Sequence, residues 1–336
     1  GPLLGGLLLD TLGWEWIFFV NLPVGVIGWV LAWRLVPRLE THSHRFDVLG
    51  VVLSAVGLFC LVFGIQEGQT YDWGRIWGWV TVPLLIVTGV VVLAAFVWWQ
   101  ARQRGEPLVP LRLFADRNFS LANAGITTMG FTITAMIFPF YLWAQSVRDL
   151  SPTQAALVMA PSSVLSFLLA RPAGQLTDRV HPRLLVGSGT VLLAVGLWLL
   201  AQAMTPTAPL WHALVAAGVL GVANPLIWGP LSTTATRNLP MADAGAGAGV
   251  YNTTRQMGAV LGSAAIAVLM QARITAHLGP GADAGGTAQA TGSMPPAVAE
   301  GLARALAESI YLPMAVILLG ALAALFFERP QHLGHC

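Results

Sequence analysis

Arg255 is the residue that first demands a physical account. It is the single charge in the apolar run 244–272, and an arginine at the centre of a membrane helix costs about 2.5–3.5 kcal/mol on insertion scales. It should therefore face a cavity or a partner. Asn252 at i−3 and Gln256 at i+1 can share its polar face. The plainer alternative is a helix start near 244, which leaves Arg255 shallow enough to snorkel. Asn224, Gln145 and the threonines between Thr127 and Thr134 are weaker cavity candidates, since such residues more often bond one helix to another. A second constellation is Gly174, Asp178, Arg179 and Arg183. A carboxylate flanked by arginines in a short loop can pair with helix ends and hold one conformational state; the plainer reading is a solvated loop.

Other chemistries have no site to stand on. Gly245, Gly247 and Gly249 lack the preceding strand and following Lys-Ser/Thr of a phosphate cradle, and close helix packing suits them better. The seven histidines show no ligand spacing, and His332, His335 and Cys336 lie at the tail. Cys60 and Cys336 cannot form a disulfide framework. No Ser/His/Asp or Cys/His set can be assembled, so we expect no enzyme, no metal and no cofactor.

The elements that must position these residues are membrane spans. The uncharged stretches 16–33, 48–66, 76–101, 118–147, 150–170 and 309–327 are each long enough to cross a hydrocarbon core of roughly 30 Å as helix. The stretch 184–236 is twice that length and breaks at Thr205-Pro206-Thr207-Ala208-Pro209, giving two spans; 244–272 is a further one. All seventeen basic residues are arginines. Alternate connections hold Arg34, Arg38 and Arg45; Arg102, Arg104, Arg112 and Arg117; Arg171, Arg179 and Arg183; Arg237; and Arg329. The intervening ones hold Arg75, Arg148, Arg273 and Arg304. Twelve against four is the positive-inside bias, in phase with every span, and it places the arginine-rich loops and the C-terminus in the cytoplasm. Charged residues are only 10% and hydrophobic ones 56%, against about 25% charged in a soluble domain. No basic run is interleaved with stacking aromatics, so no nucleic-acid partner is expected. Residues 279–294 read as an outward loop and 296–308 as a short surface helix.

Five segments carry a family resemblance. The first is Gly1-Pro2-Leu3-Leu4-Gly5-Gly6 with the continuation Trp14-Glu15-Trp16-Ile17-Phe18-Phe19-Val20-Asn21-Leu22-Pro23-Val24-Gly25. It resembles the antiporter motif ending the fifth helix of the major facilitator superfamily, in its fourteen-helix drug:proton antiporter group; Glu15 stands where Arg is usual. Pro107-Leu108-Val109-Pro110-Leu111-Arg112-Leu113-Phe114 is similar to the group's re-entry into its second half. Gly174-Gln175-Leu176-Thr177-Asp178-Arg179-Val180-His181-Pro182-Arg183 looks like the superfamily's cytoplasmic loop motif, with His181 where Gly is common. Gly247 to Gly258 is similar to the thirteenth helix. The spans near 48–66 and 76–101 lie where the group inserts an extra helix pair.

The resemblance implies an all-α polytopic membrane protein with facilitator-like bundles. Residues 1–47 would be the remnant of an N-terminal bundle, 48–101 two linking helices, 102–117 a cytoplasmic loop, 118–329 a six-helix bundle and 330–336 a cytoplasmic tail. On this reading helices one to four and most of five are missing. It further implies a monomer in the cell membrane that exports lipophilic drugs or antibiotics by alternating access, with protons as the coupled partner. Gly1, Pro2, Gly5 and Gly6 would pack against a neighbouring helix, Gly174, Asp178, Arg179 and Arg183 would gate the cytoplasmic side, and Arg255, Asn252, Gln256 and Asn224 would line the cavity. All fifteen acidic residues lie outside the assigned spans, so the proton-coupling acid is expected in the missing helices. Transport of another small solute, or a truncated non-transporting membrane protein, is the alternative.

Overall fold

The computed structural model describes residues 2–35, 47–68, 70–103, 107–240, 243–279, 282 and 294–328. Long apolar runs bounded by capping residues become helices almost throughout. They are α1 (Pro2–Thr11), α2 (Trp16–Phe19), α3 (Asn21–Leu35), α4 (Val48–Gln66), α5 (Val82–Arg102), α6 (Arg117–Leu142), α7 (Pro152–Val158), α8 (Ala160–Thr177), α9 (Pro182–Ala203), α10 (Trp211–Thr236), α11 (Ala244–Leu278), α12 (Pro296–Ser309) and α13 (Tyr311–Ala324). The starts follow local chemistry. The Asp47 carboxylate accepts from the Gly50 N–H at 2.8 Å, that of Asp116 from Phe119 N–H at 2.7 Å, and Ser151 forms a capping box with Gln154. Each satisfies an amide the helix start would leave orphaned. His181 does the same for α9, its Nδ1 accepting from Arg183 N–H at 3.1 Å, a cap that glycine cannot supply.

Among the described residues, eight segments are long and apolar enough to span a membrane, and the pair α7–α8, bent by 45°, makes a ninth. Six of these form one bundle. α6 lies along α11 and α13, α9 along α10 and α13, and α10 along α8. Phe119, Ile126, Met129, Trp143, Leu197, Leu220, Ile227 and Ile266 fill its interior. α4 and α5 form a hairpin that touches the bundle through α11. α3 buries none of its residues, as suits a helix that is apolar all round with lipid as solvent.

Four expectations are corrected. The second linking helix starts at Val82, because Arg75–Trp77 and Val80–Thr81 form a small antiparallel hairpin. Helix α8 runs through Pro172 to Thr177, so Arg171 and Gly174 are helical and the loop shrinks to residues 178–181. Residues 296–308 are no surface helix: Leu302, Ala305 and Leu306 are wholly buried against the bundle, chiefly on α11. The last span is consequently Pro296–Ala324, which brings Glu300 and Glu308 into its helical length. Of the three glycines at the start of α11, only Gly247 is packed closely, against Leu239; Cβ atoms at Gly245 and Gly249 would meet open space. Gly1, Arg38, Arg45, Arg104, Arg329 and the tail 330–336 lie outside the described residues.

Candidate functional site

The two ends of the bundle are tied differently. At the arginine-rich end, Asp178 accepts from Arg237 Nη2 at 2.9 Å, joining the α8–α9 loop to the end of α10. Arg112 donates to the buried Asp243 at 2.7 Å, and Arg117 to Glu328 at 2.9 Å. Asn118 and Glu328 exchange a reciprocal pair, side-chain amide to backbone carbonyl at 3.2 Å and backbone amide to side-chain oxygen at 2.9 Å. Thus four ties join elements of the bundle at this end. At the other end Arg148 donates to the carbonyl of Ala208 at 2.6 Å, and Glu308 sits 3.5 Å from Arg273 and 3.2 Å from His277.

The gate-loop residues therefore divide. Asp178 is paired, but with Arg237, whose place in the sequence marks topology alone. Arg179 and Arg183 are exposed near it, and Gly174 lies on an exposed face of α8 with room around it. At the N-terminus, α1 rests on α7, while a Cβ on Gly5 would meet nothing.

Inside the bundle, Arg255 is held by backbone packing as much as by its head. Gly130 of α6 lies against the Arg255 carbonyl, and Gly258 and Gly262 lie against the carbonyls of Thr127 and Phe131. Three contacts of this kind admit no side chain and fix the register of α11 on α6. Thr127 and Thr132 bond across to the carbonyls of Thr254 and Pro313, so this threonine cluster joins helices. The Arg255 guanidinium stacks over Trp228 of α10, 5.8 Å from the ring centroid. Tyr251, one turn earlier, is buried at 7% exposure. Asn224, one turn before Trp228, donates to the Leu220 carbonyl at 3.0 Å. Asn252 and Gln256 are exposed instead, Asn252 donating to Ala248. The residues that meet Arg255 are thus Trp228 and Tyr251, with Asn224 one turn from Trp228 on the facing helix. The i−4 spacing of Tyr251 was readable in the sequence; the partnership with α10 was not.

On another face of α11, a cleft of about 1150 Å³ separates that helix from the α4–α5 hairpin, lined by Leu93, Phe96, Val97, Val250, Thr253 and Met257. Asp47 lies at its arginine-rich mouth, taking hydrogen bonds from Trp99 Nε1 at 3.0 Å and Gln100 Nε2 at 2.7 Å. No group of three or more potential metal ligands occurs among the described residues.

Comparison with known proteins agrees with this architecture. The model of the Major Facilitator Superfamily matches residues 1–263. The chain belongs to that superfamily. An uncharacterized transporter of the superfamily from Mycobacterium tuberculosis is 46% identical over 97% of this chain and 56% of its own length. The multidrug resistance protein Stp of the same organism is 31% identical, covering 83% and 51%. The cephamycin export protein of Amycolatopsis lactamdurans is 32% identical, covering 79% and 55%. This facilitator chain spans about half the length of the curated relatives it matches. Superfamily membership and the span-length helices make it a multi-pass membrane protein.

Proposed function

We propose that this protein exports lipophilic drugs or antibiotics across the cell membrane by alternating access, driven by protons, with its arginine-rich end in the cytoplasm. The observation that carries the reading is the contrast between the ends and the middle of the bundle. One end is tied by ion pairs between elements of the bundle, Asp178–Arg237 foremost, while a charged group is kept among apolar helices at Arg255. Alternating access needs both: an end that can be locked or released, and a polar site at membrane depth between bundles. Export is further supported by relatives named for multidrug resistance and cephamycin export. Proton coupling rests on the family resemblance. The carboxylates that enter a span, Glu300 and Glu308, lie level with Arg304, Arg273 and His277 at the far end. The test is efflux of ethidium from proteoliposomes containing the complete gene product, with and without an imposed pH gradient. Gradient-dependent efflux that a protonophore abolishes is the expected result, and efflux indifferent to the gradient would remove proton coupling from the account.

A further inference from the structure

We infer that Arg255, Tyr251, Asn224 and Trp228 form a recognition site for amphipathic organic carboxylates, the carboxylate bound by Arg255 and Tyr251 and the apolar body lying along Trp228. The direction of transport rests on the export reading above; the site itself rests on its own geometry.

Three polar atoms in this cluster are buried and without a hydrogen-bond partner among the described residues: Arg255 Nε, Tyr251 Oη and Asn224 Oδ1. Such groups are rare in folded proteins, because each forfeits roughly 1–3 kcal/mol of solvation. Here they are concentrated on facing helices. Asn224 and Trp228 are one turn apart on α10, Tyr251 and Arg255 one turn apart on α11, and residues at i and i+4 share a helix face. The Arg255–Trp228 contact shows that the two faces look at each other.

Depth matters as well. Arg255 is about 16 Å along α11 from Ala244, at 1.5 Å per residue, and Arg273 is a further ~27 Å on. A hydrocarbon slab of roughly 30 Å that begins near the ion pairs of the arginine-rich end therefore contains Arg255 and excludes the Glu308 cluster. Rather than extending to the interface, the guanidinium lies against an indole with its Nε buried. That geometry disfavours the snorkelling alternative.

The donors and acceptors then select the ligand. Arg255 offers N–H donors only, and its planar fork suits a carboxylate. Tyr251 can add its O–H to the same anion. Asn224 gives one amide N–H to Leu220, and its unpartnered oxygen calls for a hydroxyl or amide donor on the ligand. Trp228, half-buried, supplies a flat apolar wall. The site as described carries one positive charge and no negative one, which favours an anion at this position and leaves a cation such as ethidium to bind away from Arg255.

Equilibrium binding separates this inference from the export reading. The complete gene product in nanodiscs of neutral lipid would be titrated with carboxyfluorescein, an organic anion, and with ethidium, a cation, by fluorescence anisotropy. Arg255→Gln should weaken carboxyfluorescein about tenfold or more, the scale of a lost charge-assisted hydrogen bond, and leave ethidium within about twofold. Tyr251→Phe, which keeps the ring and its packing, should weaken carboxyfluorescein several-fold. Arg255→Lys should fall between wild type and Arg255→Gln, because an ammonium is a point charge. Two results would overturn the inference: wild-type protein that does not bind carboxyfluorescein, or variants that lose both probes equally, which would assign Arg255 to an internal carboxylate of the protein. Transport bears on the other reading alone, since an anion-binding protein that moves neither probe across a membrane removes export and leaves the site.

Discussion

Asp178 and Arg237 sit 59 positions apart and meet at 2.9 Å, with the carboxylate 67% exposed and the guanidinium 26%. An ion pair so exposed contributes little to stability, about 0–1 kcal/mol. Its effect, if it locks the cytoplasmic end, is on the balance between two states, where a coupling of one to three kcal/mol changes populations about five- to 150-fold. Asp178→Asn and Arg237→Gln should therefore each cut efflux strongly at unchanged expression and melting temperature, and the double variant should be no worse than either. Wild-type efflux in both single variants would leave the pair as topology alone. Asp47 works differently, because it is buried. Burial pushes its carboxyl up, but hydrogen bonds from Gly50, Gln100, Trp99 and Leu108 outweigh burial and hold it below its ordinary 3.8. A carboxyl lowered in the folded state stabilises in full above its unfolded value, and loses that stabilisation as pH falls through the folded one. Asp47→Ala should therefore lower the melting temperature at neutral pH, stranding the Trp99 and Gln100 donors at a cost of about 1–3 kcal/mol. Melting curves recorded from pH 7 downward should show the gap to wild type closing only below pH 3.8. Neither Asp47 nor Arg237 was visible as a site in the sequence: each is defined by partners on other helices.

Among the elements, α6 and α11 show how packing places a charge. Gly258 lies on the Thr127 carbonyl, and backbone cannot withdraw as a flexible side chain does. Gly258→Val should destabilise the protein by about 1–3 kcal/mol, as overpacking does, and should also weaken ligand binding by shifting Arg255 off Trp228. Gly249→Ala on the same helix, where a Cβ meets open space, is the control and should melt like wild type. Thermal unfolding in detergent checks both, and equal melting temperatures for the two would remove the close crossing from the account. Helix boundaries were legible wherever a capping residue met a composition break, as at Asp47, Asp116 and Ser151. They were misread where composition gave no warning. The Ala- and Glu-bearing stretch 296–309 looks amphipathic enough for a surface, yet its Leu302 and Leu306 are buried, because α11 runs to Leu278 and gives them a wall.

For the whole molecule, the arginine distribution predicts an orientation with the arginine-rich loops in the cytoplasm. A cysteine at Ser43 should be protected from an impermeant thiol reagent in intact cells and one at Thr287 labelled, with Cys60 and Cys336 replaced by serine. Labelling at Ser43 alone would invert the topology. What the sequence determined by itself was the class of protein, the number of its spans and the presence of Arg255 within an apolar helix. These follow from a solvent that tolerates apolar helices and penalises charge, a rule that acts on each segment separately. What only the tertiary structure decided was who meets whom. Asp178 pairs with Arg237 rather than with the arginines beside it, and Arg255 faces Trp228 and Tyr251 rather than Asn252 and Gln256. Lipid is indifferent to which apolar helix neighbours which, so hydrophobicity cannot encode those partnerships. Glycine-sized contacts such as Gly130 on Arg255 and Gly258 on Thr127 set the helix register, and register decides which side of a helix a polar group looks out from.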